Sequence, residues 1–210
     1  MSRRCKIIVL PEDTSHADLA RGFFRGRNVS ERAYDLQRRW TGRNGNHAAV
    51  RRWFCEEARL QGHPASPRFG ILALIDEDGQ GLERRRNDVA EALRKLGLAA
   101  PLDPNEGRCL VLPMRNAETW MVWAARWKGA GCPTSPDGRQ GFEPVSEAND
   151  YKRFRGPDGN ALAREAMTSA YDAGKIIATL NPMFPPAGTP PALQEVLRPL
   201  SDFLHWARLE

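Results

Sequence analysis

Carboxylates gather where three apolar runs of this chain end. Glu12 and Asp13 follow the run Lys6 to Leu10, Asp76 and Asp78 follow Phe69 to Ile75, and Glu118 stands just past Cys109 to Pro113. In a parallel sheet, ligands bind outside the carboxyl ends of the strands, so these side chains would share one edge. Carboxylates crowded together repel unless a cation sits between them, and hard oxygen ligands that leave room for water suit Mg2+ or Mn2+. Side chains alternate along an extended backbone, which turns Asp76 and Asp78 to one side and Glu77 to the other. A lone Asp-x-Asp is common as an exposed turn or a helix cap. Here the strand before it and the acidic strand ends beside it favour a metal site. Glu118 keeps two readings, a member of that cluster or a carboxylate meeting the helix dipole just after Asn116. Arg115 would contact a phosphate or neutralise the acidic group.

The positive charge lies elsewhere. Between Arg21 and Arg68 there are eleven arginines and four acids, a local balance of +7 that exceeds the +5 of the whole chain. A planar guanidinium pairs with phosphate in two-point geometry, so Arg38, Arg39, Arg43, Arg51 and Arg52 are candidate nucleic-acid contacts; a solvated charged face is the plainer alternative. Trp40 and Trp53, inside this segment, are candidate base-stacking residues, whereas the other tryptophans fit core positions. His16 follows Glu12 closely and could shuttle a proton or simply occupy a first helical turn. His47, His63 and His205 show no metal spacing. Thr41 to Asn46 reads as an ordinary loop.

These residues need a scaffold, and the pattern supplies one. Lys6 to Leu10 reads as a buried strand ended by Pro11, followed by a helix with Leu19, Phe23 and Phe24 inward and Thr14 or Ser15 as its cap. A helix is expected from about His47. Phe69 to Ile75 is apolar throughout, as a parallel strand covered on both faces should be. Leu82, Val89, Leu93 and Leu96 then mark an amphipathic helix that Gly97 stops. Cys109 to Pro113 is a third strand, leading into a helix with Trp120, Val122, Trp123 and Trp127. Strands alternating with helices signal an α/β parallel sheet. Beyond Lys128 comes a Gly- and Pro-rich stretch, then a helix over about 159–180, a proline-rich connector, and a last helix from Ala192 that Pro199 should kink or divide.

With 210 residues, 41% hydrophobic and 27% charged, the chain has the makeup of an ordinary globular protein able to bury a core without staples. No apolar run approaches the roughly 20 residues that cross a bilayer, and no secretory signal is visible, so a cytoplasmic protein without membrane contact is expected. Four scattered cysteines with no CxxC pair argue against a zinc ribbon or a disulfide framework.

The acidic pattern resembles the Toprim domain, the metal-dependent module of topoisomerases, bacterial primases and overcoming-lysogenisation-defect nucleases. Leu10-Pro11-Glu12-Asp13 corresponds to its glutamate motif and Ile75-Asp76-Glu77-Asp78 to its paired aspartates, although Asp13 stands where that glutamate is usually followed by glycine. Together with His16, Pro113-x-Arg115-Asn116-x-Glu118-Thr119-Trp120 and Asp150-Tyr151-Lys152, the pattern is similar to bacterial Toprim-like proteins often linked to phage defence. The resemblance covers about residues 6–152.

It implies a Toprim-like parallel sheet flanked by helices over residues 1–152, with a basic insertion at about 28–68 and a C-terminal helical extension over 153–210. It also implies a Mg2+-dependent nuclease or phosphoryl-transfer enzyme acting on DNA or RNA. Asp76 and Asp78 would hold the ion and Glu12 would be a further ligand or the general acid or base. Glu118 and Lys152 join Glu12 as candidate catalytic residues, although the plainer reading of Lys152 is the start of a solvated helix. The link to phage defence implies an effector role beside an ATPase partner encoded nearby, since the chain holds no Walker A motif. The rival expectation is a non-catalytic module that binds nucleic acid or a protein partner; a small-nucleotide hydrolase is a third.

Overall fold

Residues 6–36, 47–61, 63, 68–98, 102–113, 116–129 and 168–209 are described by the computed structural model of the chain. Its aliphatic runs form the expected strands: β1 (Lys6–Pro11), β3 (Phe69–Leu74) and β4 (Arg108–Val111). A further strand, β2 (Tyr34–Leu36), was not foreseen; it is three half-buried residues long and carries too little apolar periodicity to be read from sequence. The four strands make one parallel sheet in the order β2-β1-β3-β4. β3 is central and buried at every position.

Hydrogen bonding continues past the strand ends. Glu12 N–H donates to Leu74 O at 3.0 Å, Ile75 N–H to Val111 O at 3.1 Å, and Glu77 N–H to Pro113 O at 3.1 Å. The ladder therefore carries Glu12, Asp76 and the start of the following loops to one level at the carboxyl edge.

Helices cover both faces, and the strands' alternation divides them. Leu72, Leu74 and Val111 face α1 (Thr14–Gly26), Trp120 of α4 (Glu118–Gly129), α5 (Ala170–Ala178) and α6 (Pro191–Trp206) across a small apolar cavity. Ile75 and Leu112 lie on the opposite side with α2 (His47–Gln61) and α3 (Leu82–Arg94). Both C-terminal helices share the sheet's own core: Ile177, Leu193, Val196, Leu197 and Phe203 belong to the same cluster as Ile7, Ile71 and Val111.

The contact between α1 and α5 is close because both helices present glycine there. A Cβ at Gly22 would stand 1.9 Å from Tyr171 O, and one at Gly174 would stand 2.1 Å from Leu19 O. Only the missing side chains let these backbones approach.

Several expectations need adjustment. Of the helix expected over about 159–180, residues 159–167 lie outside the described residues, and the described part is helical only as α5, Ala170–Ala178. Pro199 does not divide α6, which runs from Pro191 to Trp206. The cap of α1 is Asp13, not Thr14 or Ser15: its Oδ1 accepts from Ser15 N–H at 2.8 Å and His16 N–H at 3.0 Å. A carboxylate at this position also meets the positive end of the helix dipole. Trp120, Trp123 and Trp127 are core residues as expected, and Trp53 packs partly buried against the core. No helix among the described residues is long and apolar enough to cross a membrane.

Candidate metal centre

Glu12 lies one residue past β1 and is 9% exposed. Its Oε2 accepts a hydrogen bond of 2.8 Å from the backbone N–H of Asp76, which fixes the carboxylate across the gap between β1 and β3. Burial pushes the Glu12 carboxyl above its ordinary pKa, and the Asp76 N–H works against that rise.

Asp76 itself is turned toward α1 and α4. Its Oδ1 accepts from Ala117 N–H at 2.9 Å and lies 3.0 Å from His16 Nε2. The other ring nitrogen, His16 Nδ1, is 2.9 Å from Asp13 Oδ1. His16 is 1% exposed, and burial alone would lower its pKa, but the Asp76 charge and the Asp13 hydrogen bond outweigh burial and raise it to about 10. Burial pushes the Asp13 carboxyl up, yet the hydrogen bond and charge of His16 hold it well below the usual carboxylate range.

Beyond Asp76 the chain leaves the extended form. Gln80 N–H donates to Glu77 O at 3.2 Å across Asp78 and Gly79, whose φ angles are +55° and +74°. Positive φ at both central residues is the primed type I turn, which favours Asp-Gly. Glu77 points back into this loop, accepting from Gly79 N–H at 2.8 Å and also from Gly81 N–H. Alternation along an extended strand thus does not describe Asp78, because the turn sets its direction.

The turn brings Asp78 to Glu12. Glu12, Asp78 and His47, the first residue of α2, each offer one ligand atom, and these atoms all lie within 4.8 Å of one another. That spread is about twice a metal–ligand bond of ~2.0–2.3 Å, so the donor set suits a single divalent ion. Asp76 is outside this group of atoms. Burial, followed by the charges of Arg85 and Arg51, depresses the His47 pKa, which favours the neutral imidazole that a metal requires.

Arginines border the group. His47, Arg51, Arg85 and Asp88 line one cleft over Ile75 and Leu112. Arg85, only 8% exposed, donates from Nε to Glu77 O at 3.3 Å and approaches Asp78 Oδ2 at 3.8 Å. Arg52 points outward, its side chain 69% exposed and 3.9 Å from Glu56.

Of the residues singled out from the sequence, Glu12 and Asp78 converge, Asp76 holds Glu12 through its backbone N–H, and Arg51 stands beside them. Glu118 opens α4 at 2% exposure, next to the Ala117 N–H that Asp76 holds, and is not among the three converging ligands. Arg38, Arg39, Arg43, Arg115 and Lys152 lie outside the described residues. His47 and Arg85 went unrecognised because no spacing links them to the acidic motifs. The one available signal was that His47 begins a helix inside the arginine-rich segment. Compared with known proteins, the chain matches no family model, no curated protein and no solved structure.

Proposed function

We propose that the chain is a Toprim-like, divalent-metal-dependent enzyme that cuts or transfers phosphodiesters of nucleic acid. The observation that carries this reading is the convergence of Glu12, Asp78 and His47 at the carboxyl edge of a parallel sheet, beside Arg51 and Arg85. A bound divalent ion, Mg2+ or Mn2+, would supply Lewis-acid polarisation of a phosphate oxygen and stabilise the attacking or leaving oxygen. Glu12, hydrogen-bonded by Asp76 N–H and raised in pKa by burial, would ligate the ion or accept a proton at its second oxygen. Arg51 and Arg85 line the cleft that His47 borders, and their positive charge would favour a phosphate at the ion. A phage-defence role, an ATPase partner and a cytoplasmic location rest on the sequence resemblance and composition.

The test is cleavage of end-labelled DNA and RNA, single- and double-stranded, with Mg2+ or Mn2+ and with any ATPase encoded beside the protein. Metal-dependent cutting that Glu12→Gln and Asp78→Asn each lower by about tenfold to a hundredfold or more supports the reading. Cutting that both variants leave unchanged, or no cutting under any of these conditions, overturns it. Binding without turnover that survives EDTA and falls steeply with salt would instead identify a non-catalytic nucleic-acid module.

A further inference from the structure

We infer that α2 delivers His47 as a nitrogen ligand to the ion held by Glu12 and Asp78, so that the site favours Mn2+ or a later first-row divalent ion over Mg2+. The inference rests on the metal-centre reading above and adds to it the class of ion that the imidazole selects.

The acidic motifs alone describe an all-oxygen site. Such a site suits Mg2+, which takes oxygen ligands and keeps several waters. The geometry is different: one of the three converging donors is an imidazole, and its ligand atom lies within 4.8 Å of both carboxylate oxygens. Imidazole suits Zn2+, Ni2+, Cu2+ and iron, while Mn2+ accepts both nitrogen and oxygen, and affinity for a given site rises from Mn2+ through the later divalent ions. A set of two carboxylates and one imidazole therefore shifts the balance away from Mg2+ without excluding it.

The position of His47 gives the inference a second support. It opens α2, and Arg51 follows four residues later, so the two share one helix face and line the same cleft. One helix thus carries a ligand and a guanidinium to the same cleft. The basic segment, which charge counting marks only as a surface for polyanions, becomes part of the metal centre.

The test uses Mn2+ alone as the probe, with the intact chain and no substrate. Pulsed electron paramagnetic resonance of the Mn2+ complex should show the nitrogen modulation of a ligated imidazole, and His47→Ala should abolish it. Calorimetric titration should show Mn2+ affinity falling about tenfold or more in His47→Ala, with Mg2+ affinity falling much less. Circular dichroism of the variant should match that of the parent, since His47 is only partly buried. If Mn2+ binds and Glu12→Gln and Asp78→Asn weaken it, but nitrogen modulation is absent or persists in His47→Ala, this inference fails while the carboxylate site stands. If Mn2+ does not bind the parent chain, both fail.

Discussion

His16 Nε2 lies 3.0 Å from Asp76 Oδ1, and both side chains are almost wholly removed from water. With Asp13 on the other ring nitrogen, the imidazole bridges the start of α1 to the loop after β3. Two carboxylates share one cation, and the backbone N–H of the same Asp76 holds Glu12. The acidic edge thus carries a buried imidazole between Asp13 and Asp76, and its charge offsets theirs when it is protonated.

Removing that cation takes the buried counter-charge away from Asp76, whose Oδ1 keeps the Ala117 N–H. His16→Ala should lower the unfolding free energy by about 3–5 kcal/mol, the usual cost of breaking a buried ion pair from one side. Adding Asp76→Asn should recover part of the loss, a coupling of about 0.5–3 kcal/mol. Urea denaturation of the two single variants and the double variant measures both, and strict additivity would show that the pair is not coupled.

The pH dependence has a definite sign. The folded pKa of His16 is raised, so its stabilisation is complete below its unfolded value near 6.5 and is lost as pH climbs toward about 10. Between pH 6.5 and 9 stability should fall by up to about 1.4 kcal/mol per pH unit, and His16→Gln should flatten that slope. Above pH 9 the buried Cys109 thiol, pushed up to about 12 by burial, adds a loss of its own. On the acid side the depressed Asp13 carboxyl acts oppositely, contributing above its unfolded value near 3.8 and losing that contribution as pH falls. Denaturation midpoints across this range provide the measurement.

Asp78 combines a left-handed backbone with a ligand carboxylate, and substitutions separate the two. Asn tolerates positive φ, so Asp78→Asn should keep thermal stability and weaken Mn2+ binding. Asp78→Ala should weaken binding similarly and also cost about 1 kcal/mol in stability. Gly79→Ala keeps the carboxylate but strains the turn at φ +74°, so it should lower both stability and affinity. Thermal melts read beside calorimetric titrations test the three together.

Helix crossing can be tested far from the acidic edge. Gly22→Ala would drive a methyl group into the Tyr171 carbonyl, 1.9 Å from the ideal Cβ position. A loss of about 1–3 kcal/mol is expected from such overpacking, which at this chain length lowers the melting temperature by about 2–4 °C per kcal/mol. An unchanged melting temperature would mean that α1 and α5 do not meet this closely.

Sequence reading succeeded where local pattern and tertiary position coincide. The apolar runs ending at Leu10, Ile75 and Pro113 located the carboxyl edge, and with it Glu12 and Asp78. It did not reach features set by contacts between distant segments. His47 comes to Glu12 only because α2 packs across β1 and β3, and nothing in its neighbours' spacing encodes that packing. Asp76 and Asp78 looked equivalent while the chain was treated as extended; the Asp78-Gly79 pair was the visible sign of a turn that separates them. Asp13 stood out as a departure from the glycine of the resembling motif, and its capping of α1 gives that departure a reason.

Because α5 fits against α1 through facing glycines, the last forty residues cannot be treated as a detachable appendage. A protein shortened after Lys152 would uncover the sheet face carrying Leu72, Leu74 and Val111 and release the helix whose first turn holds His16. Grafting this tail onto another scaffold would need α1 to travel with it.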